Sequence, residues 1–296
     1  MLSPSLRRLG WAWGFLLLPL VAYCVAVVGP TIYSFYYSFT DWNVVGGTSE
    51  FVGLAKYSKL IGDQHFWTAL RNTAIWTGVA IVVPTVVGLT LALVLNRVRR
   101  LQRLVKSLFF LPLALSLVTV GQVWQWIYRP DGGLLNLLLG AIGLGSVQPA
   151  WLSDPKFALW AVLVAWCWQQ VALTMVLFLA GLTAVPQELL EAAQVDGVNA
   201  WQQLRYVIIP ALRPVFTVVI SLSMINALKS FDIIYVMTSG GPFRTTESLA
   251  VFMYRAAFET YDFGYSSAAA VVLFVVTVVI IGCFFGWMNR EERKNG

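Results

Sequence analysis

Six stretches of this chain stay apolar for about twenty residues or more: roughly 11–37, 66–95, 104–128, 157–182, 214–237 and 265–287. A helix rises about 1.5 Å per residue, so about 20 residues cross the ~30 Å hydrocarbon core of a bilayer. Inside that core each backbone N–H and C=O needs a partner within its own segment, which makes an isolated apolar stretch a helix. The chain is therefore expected to be an all-α integral membrane protein. It is read as one transmembrane domain over 1–296 with six spans. Composition agrees: 58% of the 296 residues are hydrophobic and 11% charged, against about 25% charged in soluble domains. Pro19, Pro84 and Pro112 lie inside expected spans and predict local kinks.

Charge sets the expected orientation. The segment Asn96–Lys106 holds Arg97, Arg99, Arg100, Arg103 and Lys106 and no acid. Arg7, Arg8, Arg205, Arg213, Arg290, Arg293 and Lys294 fall on the same side of a six-span chain. The opposite side has the sparser Lys56, Lys59, Arg71, Arg129, Lys156, Arg244 and Arg255. Basic loops stay in the cytoplasm, so both termini are expected there. The net charge of +6 is accounted for by these loops and is no nucleic-acid footprint. Arg7-Arg8 before an apolar run resembles a signal peptide, but the run far exceeds a ~7–15-residue signal core. Tyr23 before Cys24 also fits a lipoprotein cleavage site poorly. The first segment is read as an uncleaved span.

Several chemistries are excluded or disfavoured. His65 is the single histidine, so a His-based metal cluster or triad is excluded. Cys24, Cys167 and Cys283 sit in apolar segments and read as packed small residues. No G-x-x-x-x-G-K-[ST] phosphate loop is present. Glu188 and Glu191 are better explained by a helix N-terminus than as a catalytic pair.

The polar stretch 186–213 carries the strongest local signals. Pro186 suits the first position of a helix. Asp196-Gly197 reads as its stop, because Gly accepts the left-handed conformation found there. Asn199 with Gln202 reads as a capping box for a second helix. Trp201, Leu204 and Ile208 share one apolar face of it, and Pro210 and Pro214 are expected to end it. Two short helices joined by a glycine turn would then present an apolar face with nothing of their own to cover it.

Glu191-Ala192-Ala193, three residues, Gly197, nine residues and Val207-Ile208-Ile209-Pro210 resemble the Glu-Ala-Ala loop of ATP-binding-cassette importer permeases. The family ends this motif Ile-x-Leu-Pro, so Val207 and Ile209 are conservative departures. The resemblance implies that 186–213 is a cytoplasmic coupling loop, with Glu191, Ala192, Ala193, Asp196 and Gly197 docking on a separate ATPase. Asp41-Trp42-Asn43, Phe51-Val52-Gly53-Leu54, the run Pro149–Pro155 and Thr238-Ser239-Gly240-Gly241-Pro242 extend it over about Phe51 to Arg290. They resemble the sugar-type, maltose-transporter-like branch, in the shorter form found in trehalose, glycerol-phosphate and compatible-solute importers. Implied partners are a second homologous permease, a cytoplasmic ATPase dimer, an external solute-binding protein and membrane lipid. ATP and Mg would belong to the ATPase, and this chain would hold no cofactor and catalyse nothing. The implied location is the bacterial inner membrane.

Polar residues inside spans are expensive and mark function. The fourth segment holds Trp166, Gln169, Gln170 and Thr174, and the fifth Asn226, Lys229, Ser230 and Asp232. Neutral donors and acceptors such as Gln170 and Ser230 suit a neutral sugar, and Trp166 offers an apolar ring face. Counted from the family's flanking motifs, the maltose-type site matches Trp166, Gln170, Leu173, Ala227, Ser230, Leu113 and Leu117. Gln169 joins these as a candidate. Leu and Ala stand where that relative has polar or aromatic groups, so the place can carry over while the solute differs. The site could equally lie in the partner permease. Lys229 and Asp232 stand i, i+3 and would partly neutralise each other on one helix, or lie near the outer interface. They motivate a rival class, a free-standing ion-coupled transporter. A same-superfamily permease for an amino acid or polyamine differs only in solute.

Overall fold

The computed structural model describes residues 4–43, 46–47, 49–97, 109–145 and 149–295. Among them the regular secondary structure is helical, apart from the isolated bridges Thr40–Phe51 and Asn43–Asp262. Four segments are long and apolar enough to cross a membrane: Gly14–Tyr37, Gln64–Asn96, Ala158–Thr183 and Phe263–Gly286. A bent pair, Ala200–Ala211 with Arg213–Leu228, raises this to up to five. The chain divides into two compact units, Met1–Asp63 with Phe252–Val275, and Gln64–Val251 with Val276–Gly296.

In the first unit, α1 (Pro4–Tyr23) runs through a π turn (Cys24–Val28) into α2 (Gly29–Tyr37). Gly29 N–H bonds the Cys24 carbonyl, five residues back. Pro30 comes next, and its ring would strike the carbonyl four residues earlier in a regular α-helix. Widening that turn lets the helix pass a proline without breaking. None of the apolar window of this segment is buried within the chain. Helix α3 (Ala55–Gly62) follows an aromatic loop in which Trp42 stacks on Tyr37 at 4.2 Å.

Charged groups close this unit. Lys56 Nζ donates to Asp41 and, at 2.8 Å, to Asp262. Lys59 reaches the other oxygen of Asp262 at 3.0 Å. Asp262 also accepts from the Tyr265 N–H, and the Tyr265 hydroxyl donates to Asp63 at 2.7 Å. Burial alone would lower the Lys56 pKa, but its bonds to Asp262 and Asp41 outweigh this and hold it raised. For Asp262 burial pushes upward, and the bonds from Lys56, the Tyr265 N–H and Lys59 win, holding it low. Gly264 lies against the Thr40 carbonyl, where a Cβ would collide with the backbone.

The second unit contains α4 (Gln64–Arg97), α5 (109–114), α6 (Leu117–Ile127), α7 (Leu134–Ala141) and α8 (Ala158–Thr183). Then come α9 (Gln187–Val195), α10 (Ala200–Gln203), α11 (Ile209–Ala211), α12 (Arg213–Leu228) and α13 (Asp232–Thr238). Helices α14 (Leu249–Phe258) and α15 (Phe263–Asn295) complete the chain. The spans expected at 66–95, 157–182 and 265–287 are the uninterrupted α4, α8 and α15. Pro84 lies inside α4 without ending it.

Two expected spans are not continuous. Residues 104–108 of the third lie outside the described residues; the remainder is α5 and α6, separated at Leu115–Ser116. The fifth ends at Leu228 and resumes as α13 at Asp232. Lys229 and Asp232 therefore do not share one helix, and the pairing expected from their i, i+3 spacing loses its geometric basis.

Helix α8 is the hub. A Cβ on Gly88 would overlap the Thr174 side chain and come within 2.9 Å of the Met175 nitrogen, so α4 and α8 touch backbone to backbone there. At Gly181 it is the side chains of Val215 and Leu212 that fill the space a Cβ would need. Small residues at such crossings supply the close packing that holds helices together in lipid. Along α8 lie two separate apolar clusters. One holds Trp76, Ala80, Ala165, Trp166, Cys167 and Ala227, among others. The second includes Ala92, Leu95, Met175, Phe178, Leu212 and Val219.

Candidate functional site

Between those two clusters, α4, α8 and α12 each carry uncharged polar side chains. The interval holds Thr85 and Gly88 on α4, Gln169, Gln170 and Thr174 on α8, and Ser221, Ser223 and Asn226 on α12. Cross-bonds tie this belt together. Thr174 Oγ1 donates to the Pro84 carbonyl at 2.7 Å. Asn226 Nδ2 donates to Gln170 Oε1 at 3.4 Å. Gln169 Nε2 donates to the Pro112 carbonyl at 3.0 Å and the Leu115 carbonyl at 2.7 Å. The segments carrying Leu113 and Leu117, Gln169 to Leu173, and Ala227 to Ser230 thus meet in one layer, although they are distant in sequence.

The belt is not saturated. Thr85 Oγ1, Ser221 Oγ and Ser230 Oγ are buried without a protein partner. The Ser230 carbonyl, by contrast, accepts from Ser248 Oγ at 3.0 Å. A buried hydroxyl without a partner costs about 1–3 kcal/mol, so each of these positions can accept another polar group. The intervals 81–91, 168–174 and 220–226 carry no Asp, Glu, Lys or Arg. Their chemistry is that of neutral donors and acceptors.

The expected residues divide by environment. Gln170 and Ser230 are buried in or beside the belt, and Leu173, Leu113 and Leu117 are half-buried near it. Ala227 is buried in the first apolar cluster. Trp166 is fully enclosed in that cluster, edge-on to Trp76 with ring centroids 5.8 Å apart. Gln169 spends its amide hydrogens on two backbone carbonyls. Sequence reasoning missed Thr85 and Ser221. Their signal was a hydroxyl placed inside an otherwise aliphatic run.

The polar stretch 186–213 has the local structure its residues predict. Helix α9 ends in a Schellman motif: Gly197 N–H bonds the Gln194 carbonyl and Val198 N–H the Ala193 carbonyl, with Gly197 at φ +72°. The capping box is complete, with Gln202 N–H to Asn199 Oδ1 at 2.9 Å and Asn199 N–H to Gln202 Oε1 at 2.8 Å. Gln203 Nε2 reaches the Leu190 carbonyl at 3.4 Å and ties the two helices. Two details differ from expectation. Pro186 is the residue before the helix, with α9 starting at Gln187. Pro210 does not end its helix, because a π turn at Leu204–Ile208 precedes it as one precedes Pro30. The helix ends instead at Leu212, where the chain bends by 70° into α12. Glu191, Ala192, Asp196 and Gly197 are exposed, and Ala193 is buried. Val195 is 88% exposed and Trp201 70%, large apolar groups with no cover from this chain.

Residues 84–294 match the family of binding-protein-dependent transport system inner membrane components. The chain belongs to this family and is a multi-pass membrane transport subunit of the ATP-binding-cassette permease type. Over 281 residues it is 36% identical to a probable ABC transporter permease protein of Pyrococcus horikoshii, covering 95% of this chain and 96% of the relative. It is 32% identical over 270 residues to the probable starch degradation products transport system permease protein of Thermoanaerobacterium thermosulfurigenes, covering 91% of each. Its fold is similar to that of a chain in the crystal structure of a bacterial ABC transporter that imports the acidic polysaccharide alginate. The TM-score is 0.86 at 21% identity, over 97% of each chain.

Proposed function

We propose that this chain forms, with a second homologous permease, the membrane path of an importer for a neutral sugar or sugar-like solute. The observation that carries this reading is the uncharged, unsaturated belt between the apolar clusters of α4, α8 and α12. Gln170, Asn226, Ser230, Thr85 and Ser221 are its ligand groups, with Leu113, Leu117, Leu173 and Ala227 as apolar walls and Trp166 as support behind them. Kinship with a permease named for starch degradation products agrees with a polyhydroxyl cargo. An external binding protein delivers the solute, in keeping with the family's description.

A single permease domain spans the membrane six times in this reading, with α5–α6 and α12–α13 as broken spans beside α1–α2, α4, α8 and α15. Both termini face the cytoplasm of the inner membrane. The loop 186–213 then meets a cytoplasmic ATPase dimer, which holds ATP and Mg. Glu191, Ala192, Ala193, Asp196 and Gly197 form the contact, with Val195 and Trp201 covered on docking. ATP-driven closure of the ATPases moves the two loops together and rocks the spans.

Vesicles containing this chain, its second permease and the ATPase, with binding protein supplied at the outer face, test the reading. Uptake of a labelled oligosaccharide should require ATP and the binding protein. ATP-independent uptake driven by an ion gradient would contradict it. Gly197→Val, at a φ that non-glycine residues rarely adopt, should leave the protein inserted and stop ATP-driven uptake.

A further inference from the structure

The two adjacent glutamines of α8 do different work. Gln170 faces the belt; Gln169 serves the break in the third span. At that break Ser116 is the N-cap of α6, and its hydroxyl accepts the Thr119 N–H at 3.2 Å. In a continuous helix that same N–H would bond the carbonyl four residues back, Leu115. The cap therefore diverts the donor and orphans the Leu115 carbonyl. Gln169 Nε2 takes up that carbonyl at 2.7 Å and, with its second hydrogen, the Pro112 carbonyl at 3.0 Å. The Pro112 carbonyl otherwise accepts only a long 3.3 Å bond from Leu115 N–H in the tightened turn.

We infer that Gln169 is a positioning residue, a latch that holds the third span in its broken form rather than a ligand for the solute. The span has two self-consistent bonding schemes. In the broken form Ser116 holds the Thr119 N–H and Gln169 holds the Leu115 carbonyl. In the continuous form Thr119 bonds Leu115 directly, and neither side chain is needed. Such a pair of discrete arrangements is what a moving span requires. Leu113 and Leu117 flank the break, so a switch between forms re-aims the wall of the belt. This inference rests on the transport reading for its role, but the bonding scheme itself stands apart from the solute.

The test is a two-residue cycle in the assembled transporter, reading complex stability and specific uptake separately. Gln169→Leu keeps the side chain's bulk and removes both donors. It should reduce uptake per assembled complex by about tenfold, the effect of one unmet, partly buried carbonyl, and lower the melting temperature of the complex. Adding Ser116→Ala frees the Thr119 N–H to bond Leu115. The double variant should regain thermal stability over Gln169→Leu alone while its uptake stays low, because the span is then locked continuous. Should Gln169→Leu fail to assemble, the double variant should assemble. Additive loss of stability in the double variant, failure of both to assemble, or wild-type uptake by either variant would overturn the inference. Stability coupling without any solute uptake in the wild type would instead uphold the latch and reject the transport reading.

Discussion

The charged clasp of the first unit and the polar belt of the second are both polar clusters in a mostly apolar chain, but they are completed differently. In the clasp Lys56, Lys59, Asp262, Asp63 and Tyr265 each have partners, with ammonium groups set against carboxylates of opposite sign. In the belt intervals there is no charge, and Thr85 and Ser221, with Ser230 beside them, keep hydroxyls without a protein partner. A saturated cluster has nothing left to offer a guest, so its contribution goes into structure. An unsaturated one costs stability until something fills it, and that is how a transient binding place must be built. The clasp should therefore answer mutation in stability, and the belt in transport.

The largest expected effect is on the clasp. Asp262→Asn leaves Lys56, whose side chain is 9% exposed, with Asp41 as its remaining counter-charge. A loss of about 1–3 kcal/mol is expected, read as a lower melting temperature with uptake per surviving complex unchanged. A drop in specific uptake without a stability change would break the comparison. Ser230→Val should do the reverse, lowering uptake a few-fold while leaving melting unchanged or slightly raised, because it removes a buried hydroxyl without a partner. Lys59→Met gives the smallest effect: its side chain is 59% exposed, and exposed pairs contribute about 0–1 kcal/mol.

pH sharpens the same contrast. Asp262, held low, contributes stability present above its unfolded pKa of about 3.9 and lost as pH falls through its lower folded value. Lys56, held high, contributes stability present below its unfolded pKa of about 10.4 and lost as pH rises through its higher folded value. The clasp should therefore be level between about pH 5 and 9 and weaken only beyond both ends. A melting temperature that moves through neutral pH in the wild type but not in Asp262→Asn would contradict this.

The long uninterrupted helices were legible because apolar length alone specifies a span. The turn at Gly197 and the cap at Asn199 were legible because each rests on one residue with a local bond to make. The breaks at Leu115–Ser116 and Lys229–Phe231 were not, since hydropathy reports composition and not which carbonyl loses its donor. Ser116 followed by Thr119 was the available sign, but it is a weak one without the Gln169 amide seen to complete it. Pro210 misled for a related reason: a π turn ahead of it relieves the clash that would otherwise stop the helix. Trp166 and Gln169 stood at plausible spacings for a solute site. Only packing separates them from Gln170, by putting one against Trp76 and the other on a helix break.

The central claim is that the belt at Gln170 handles the solute. Its most direct test is uptake of labelled oligosaccharide by reconstituted vesicles carrying Gln170→Leu, normalised to assembled complex and run with intact binding protein. Loss of one amide from the belt should lower uptake about tenfold, with binding-protein affinity unchanged. Wild-type uptake by Gln170→Leu would contradict the claim and leave selection of the solute to the other subunits.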